Sequence, residues 1–167
     1  MTPYYELRHL VGFEETTVVG NVYFVNYMRW QGKCRELFLL ENAPDVLENF
    51  GEELILFTTK VECELFAELA LFDEVSIRMR LEDLTQTQIE FGFDYVKLRK
   101  DGVQELVARG RQRAACVSGQ GAAARPAKIP ESLRRALAPY AQAPAAPNGG
   151  PRAPEAGQAV AAAVRNG

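Results

Sequence analysis

Four side chains in one stretch are of types that do chemistry: Asn21, Tyr27, Arg35 and Glu36. Arg35 is the most telling. At three- and four-residue spacing it falls in line with Phe24, Met28, Gln31 and Phe38, the pattern of one helix face. A guanidinium on such a seam is permanently charged and must find a partner. A carboxylate on a facing strand, such as Glu62 or Glu64, would serve. So would a substrate, because the guanidinium fork holds two oxygens at once. Asn21 carries an amide with two donors and an acceptor, at a turn that feeds the helix. Backbone N–H groups at the helix start point the same way and add the positive end of the helix dipole. Glu36 is turned about 100° around the helix from Arg35; it is either solvated or positions a water. Tyr27 is either a core aromatic or a member of the site. Thr58 and Thr59, on a later strand, could line a channel, although β propensity alone explains them.

These residues need a scaffold, and the chain is long enough for one. Its 167 residues support a single domain with a real core. A formal net charge of −3 gives no electrostatic case for nucleic acid. No apolar run approaches the roughly 20 residues that span a bilayer, and Met1–Glu6 lacks the pattern of a secretory signal. The three cysteines, Cys34, Cys63 and Cys116, are widely spaced, and a lone His9 cannot build a usual His/Cys metal cage. A cytoplasmic protein with reduced, buried thiols and no metal or cofactor is expected.

The pattern of residues predicts a first strand over Tyr4–Phe13, then a turn through Gly20 and Asn21. A helix over Tyr23–Leu40 follows. Phe24, Met28, Gln31, Arg35 and Phe38 form one face, flanked by Tyr27, Cys34 and Leu39, with Trp30, Leu37 and Leu40 on another side. A helix so apolar around its circumference needs cover from a sheet and from a partner. Gly32, mid-helix, suggests a close backbone approach. A short helical turn is expected over Asp45–Phe50.

Four strands come next: Leu54–Leu69, whose drifting alternation suggests a bulge, then Glu74–Leu84, Gln88–Lys100 and Glu105–Ser118. Val75, Ile77, Met79 and Leu81 share one face, as do Ile89, Phe91, Phe93 and Tyr95. Arg78, Arg80, Arg109, Arg111 and Arg113 read as the outer, solvated face of the sheet. Asp101-Gly102 marks a hairpin. Ile129–Leu137 reads as a short helix, and the Ala-, Pro- and Gly-rich remainder from Ala138 as a disordered tail. The fold class is therefore α+β, an antiparallel sheet with one long helix across its face. The expected units are residues 1–120 as the domain, 121–140 as a short extension and 141–167 as the tail.

One long helix wrapped by a curved antiparallel sheet resembles the hotdog fold. The stretch Gly20-Asn21-Val22-Tyr23-Phe24-Val25-Asn26-Tyr27-Met28-Arg29-Trp30 resembles the loop and helix start of the 4-hydroxybenzoyl-CoA thioesterase group. Within that group the chain is most similar to the thioesterases that accompany iterative enediyne polyketide synthases. Aligning Gly20 with the group's glycine places Thr17 where those enzymes usually carry a catalytic Asp. A threonine cannot act as a carboxylate nucleophile or base. The enediyne branch is similar in lacking that acid. Its reliance on an Arg and an Asn, with Tyr and Glu as secondary candidates, implies Arg35, Asn21, Tyr27 and Glu36 here, and the channel would include Tyr27 and Thr59.

The resemblance implies hydrolysis of a β-keto polyene thioester held on an acyl carrier domain, with possible loss of CO₂ to a methyl ketone. It also implies a homodimer, or a homotetramer built from two. The alternatives are a general acyl-CoA thioesterase and a non-catalytic acyl-binding subunit. A dehydratase is disfavoured, because the only histidine, His9, lies in the first strand.

Overall fold

The computed structural model describes residues 3–51 and 54–142. The elements in chain order are strand β1 (Tyr5–Leu10), helix α1 (Val25–Asn42), helix α2 (Pro44–Glu48), strands β2 (Ile55–Leu65), β3 (Glu74–Leu84), β4 (Gln88–Leu98), β5 (Gln104–Ser118) and β6 (Arg125–Pro126), and helix α3 (Glu131–Leu137). The five long strands form one antiparallel sheet in the order β1-β3-β4-β5-β2, with β6 on β5. This is the hotdog architecture, a curled sheet that grips one long helix. It is not a simple meander, since β2 crosses to the far edge and pairs with β5.

The helix turns a different stripe to the sheet from the expected one. Tyr27, Trp30, Gln31, Cys34, Phe38 and Leu39 are buried, whereas Phe24 and Leu40 are exposed. With apolar residues all around α1, no unique stripe existed to fix its rotation. Core faces of the sheet are as expected: Val75, Ile77, Met79 and Leu81 of β3 and Ile89, Phe91, Phe93 and Tyr95 of β4 are all buried. The Tyr95 hydroxyl donates to the Tyr27 carbonyl at 2.6 Å, pinning β4 to the first turn of α1.

Bulges bend the sheet around the helix. One falls between Thr58 and Lys60, in the strand whose alternation drifts. Another lets Val107 and Ala108 of β5 both face inward, opposite Tyr95 and Val96. On the outer face the arginines are not merely solvated. Asp94 lies between Arg80 at 2.8 Å and Arg109 at 2.9 Å, and Glu90 takes Arg113 at 2.6 Å. Such cross-strand pairs are the unit of sheet stabilisation.

Ile129, Leu133 and Leu137 join the core. The start of the expected tail is packed instead: Tyr140 lies edge-on against Phe38 and the Gln142 amide donates to the Leu81 carbonyl at 3.0 Å. The remainder of the expected tail lies outside the described residues. No helix among the described residues is long and apolar enough to cross a membrane. Cys34, Cys63 and Cys116 are free thiols, Cys63 only partly buried. Among the described residues nothing outside the adjoining helix lies within 4 Å of the position a Cβ on Gly32 would take, so the described residues do not make the close approach expected there. Apolar surface remains uncovered along β2, where Phe57, Val61 and Leu65 are exposed.

Candidate active site

Arg35 points from α1 toward the sheet, where its Nη1 donates to Thr58 Oγ1 at 3.0 Å and to Gln112 Oε1 at 2.7 Å. Its Nε is buried with no hydrogen-bond partner among the described residues. Burial lowers the guanidinium below its usual range, against the opposing pull of the Glu36 charge. The expected carboxylate partners do not reach it. The bulge at Thr59 sets Glu62 opposite Arg111 and Glu64 opposite Arg109 on the outer side of the sheet, and Glu62 pairs with Lys60 at 3.1 Å. The described partners of Arg35 are thus neutral dipoles.

Beside Arg35 lies a cavity of about 490 Å³. Arg35, Glu36 and Leu39 of α1, Leu47 and Phe50 around α2, and Leu54–Leu56 leading into β2 form its walls. Glu36 is exposed at this wall. The wall is apolar except at Arg35 and Glu36, the form of a site that takes a hydrocarbon with one polar end. Thr59 is exposed and donates to the Arg113 carbonyl at 3.3 Å, so it is Thr58, not Thr59, that meets Arg35. Gln31, one turn before Arg35, donates from Nε2 to the Glu62 carbonyl at 3.1 Å. Its Oε1 is buried without a partner among the described residues.

Asn21 belongs to a second cluster. The Thr17 hydroxyl donates to Asn21 Oδ1, and Asn21 Nδ2 donates to Glu68 Oε1 at 3.2 Å. Gly20, at φ 91°, supplies the left-handed turn that brings Asn21 round. Tyr27 is buried close by. Burial pushes its phenol up to about 12, with the charges of Glu68 and Asp73 adding to the rise. Two of the amides at the helix start turn back within the chain: Asn26 N–H to the Tyr23 carbonyl at 3.0 Å and Tyr27 N–H to the Phe24 carbonyl at 3.2 Å.

A buried carboxylate holds the leading loop. Glu15 accepts from the Gly12 amide at 2.9 Å and from Trp30 Nε1 at 2.8 Å, and both its oxygens lie 2.8 Å from His9 Nε2. Burial alone would raise the Glu15 carboxyl, but these partners hold it below the usual range. Neither Glu15, Glu68, Thr58 nor Gln112 was singled out with a partner in the sequence. Only the pairing of distant strands brings them in.

The two clusters do not converge within one chain. Arg35 lies roughly 15 Å along the axis from the start of α1. Thr58 and the Glu68 segment likewise sit at opposite ends of β2. Asn21 is brought together with Thr17 and Glu68, whose charge also reaches Tyr27; Arg35 and Glu36 share the cavity.

The sequence matches the thioesterase-like superfamily over residues 11–137. The chain belongs to this superfamily. Among solved structures it is 43% identical to the dynemicin thioesterase, over 84% of this chain and 99% of that one, with a TM-score of 0.80. That enzyme's crystal structures concern induced-fit and allosteric effects upon polyene binding. A protein from Pseudomonas aeruginosa is 22% identical over 83% of this chain and 96% of its own, at a TM-score of 0.71. A 4-hydroxybenzoyl-CoA thioesterase mutant bound to 4-hydroxybenzoyl-CoA is 12% identical over 80% and 98%, at 0.69. The last two share the fold. No curated protein matches the sequence.

Proposed function

We propose that the protein hydrolyses the thioester joining a β-keto polyene chain to the acyl carrier domain of an iterative polyketide synthase, in enediyne biosynthesis. The released β-keto acid then loses CO₂ to leave a methyl ketone. The observation that carries this reading is the half-buried guanidinium of Arg35 at the wall of an apolar cavity of about 490 Å³, with neutral side chains as its described partners. Such a site suits a hydrocarbon that ends in two carbonyl oxygens. The likeness to the dynemicin thioesterase supports the same substrate class.

Thioester hydrolysis develops negative charge on the carbonyl oxygen, and each fixed donor aimed at it contributes typically about 3 kcal/mol. Arg35 polarises the 1,3-dicarbonyl unit, and Asn21 supplies a second donor. Because Asn21 precedes α1 and Arg35 lies about three turns into it, a site using both draws them from two chains. The uncovered apolar surface along β2 and the open flank at Gly32 fit a homodimer, and dimers that pair again give a tetramer. Free thiols at all three cysteines suit a cytoplasmic setting.

The test mixes the protein with a synthase loaded with its chain and follows products by mass spectrometry. Release of a polyene acid or methyl ketone is expected, with losses of about 10²-fold or more for Arg35→Ala and Asn21→Ala. Full activity in both variants would rule out this site. Faster turnover of simple acyl-CoA esters than of the loaded carrier would favour a general acyl-CoA thioesterase. Binding without hydrolysis would favour an acyl-binding subunit.

A further inference from the structure

Hydrolysis needs a group to take the proton of the attacking water, within hydrogen-bond reach of it. Several groups near Asn21 are unfit for this. The Thr17 hydroxyl is a poor base. Burial holds the Tyr27 phenol near 12 and the Cys63 thiol near 11, so both stay protonated at neutral pH. Asp73 is already engaged, taking the Lys97 ammonium at 2.7 Å and the Ala70 amide at 2.8 Å.

Glu68 remains. An exposed glutamate is ordinarily just solvated, but this one sits on a fastened segment. The Phe66 and Ala67 amides both donate to the Val107 carbonyl, at 2.8 and 3.1 Å, and Leu69 is fully buried. The Val22 amide donates to the Leu69 carbonyl at 2.8 Å, and Asn21 bridges Ala70. The backbone on both sides of Glu68 is therefore locked against the loop that carries Thr17 and Asn21. One carboxylate oxygen accepts from Asn21, which in turn accepts from Thr17. The second oxygen has no described protein partner in that chain of bonds.

We infer that Glu68 is the catalytic carboxylate of this enzyme, delivered from the segment after β2 to the side of Thr17 and Asn21. It acts as general base on the water. The inference rests on the thioesterase reading above. As the water oxygen bonds to the carbonyl carbon, its proton passes to Glu68 and the π pair moves onto the carbonyl oxygen. Collapse of this oxyanion re-forms the C=O bond and breaks the C–S bond. The sulfur leaves with the proton returned by Glu68, giving a carboxylic acid and a thiol, and the carboxylate is regenerated. Asn21 couples the base to the oxyanion: one N–H orients Glu68, and the other is free to face the substrate oxygen.

The experiment is single-turnover release from a carrier domain loaded with a β-keto acyl chain, for wild type, Glu68→Gln, Glu68→Asp and Glu68→Ala. Melting temperatures close to wild type are expected, since the side chain is exposed. Glu68→Gln is expected to slow the chemical step by about 10²–10⁴-fold with chain binding retained. Glu68→Asp is expected to keep part of the rate, and added formate to restore part of the rate of Glu68→Ala. A Glu68→Gln rate within about twofold of wild type would overturn the role of Glu68 and leave the thioesterase reading standing. So would a slow Glu68→Ala that neither formate nor the Asp variant rescues, the mark of a structural residue. A wild-type protein that binds the loaded chain but hydrolyses nothing would overturn both.

Discussion

Gln112 of β5 accepts a hydrogen bond from Arg35 of α1 at 2.7 Å, across 77 positions of sequence. Together with Thr58 it fixes one end of the guanidinium and brings no charge. Exchanging this dipole for a charge therefore separates holding Arg35 from using it. Gln112→Glu is expected to keep or raise stability, because a charged hydrogen bond replaces a neutral one. It is expected to lower product release by at least about 10-fold, because the guanidinium is then neutralised. Gln112→Leu leaves Arg35 with one fewer partner and is expected to cost about 1–3 kcal/mol of stability. Urea unfolding alongside the release assay checks both; a Gln112→Glu variant of full activity would contradict the assigned role of Arg35.

The two helix-associated glycines should respond oppositely to alanine. A Cβ on Gly110 would strike Gln31 Nε2 and lie 3.2 Å from the Glu62 carbonyl. Gly110→Ala is expected to destabilise by about 1–3 kcal/mol. Nothing among the described residues crowds Gly32, so Gly32→Ala should gain up to about 1 kcal/mol in an isolated chain. If α1 instead packs against a second chain at Gly32, the substitution weakens the oligomer. Sedimentation and denaturant curves read the two effects separately.

Acid should loosen the leading loop through Glu15. Its folded-state carboxyl is held below the unfolded value of about 4. The stabilisation is therefore present above that value and is lost as the pH falls through the lower, folded-state value. Glu15→Gln is expected to lower stability at neutral pH by about 1–3 kcal/mol and to flatten the decline below about pH 4. Unfolding midpoints measured from pH 7 down to pH 3 would show it, and an unchanged acid slope would refute it.

Filling the cavity beside Arg35 should shorten the chains the protein accepts. Leu47 lines it. Leu47→Trp is expected to raise KM for long acyl chains by about 10-fold or more while sparing short ones, since a buried methylene is worth about 0.8 kcal/mol. A chain-length series of thioesters tests this, and a uniform change across the series would place the acyl chain elsewhere.

Strands β3, β4 and β5 were plain in the sequence because their apolar residues alternate. Glu74–Leu84 is found with the bounds its pattern implies, and β4 and β5 lie within two residues of theirs. Even the irregularity of β2 was visible, as the drift that becomes the bulge at Thr58. The rotation of α1 was not, because Phe24, Met28 and Leu40 look as apolar as Tyr27 and Trp30. Arg35 stood out as a charge on an apolar face, but its partners did not: Gln112 becomes its neighbour only because β5 lies between β4 and β2. The same holds at Asn21, where Glu68 arrives through the backbone pairing of the segment after β2. No spacing within the local sequence announces either contact.

Trp30 is the chain's single tryptophan. Its ring packs at a tilt against His9, with centroids 4.9 Å apart, and against Tyr27 at 5.2 Å, and its indole N–H is bound to Glu15. Its emission therefore reports on one place, the junction of β1, the leading loop and the first turns of α1. A shift of Glu15 or of the first turns of α1 changes the surroundings of this one fluorophore. The protein therefore carries an unlabelled optical probe of that junction, which can be followed in real time without modifying the chain.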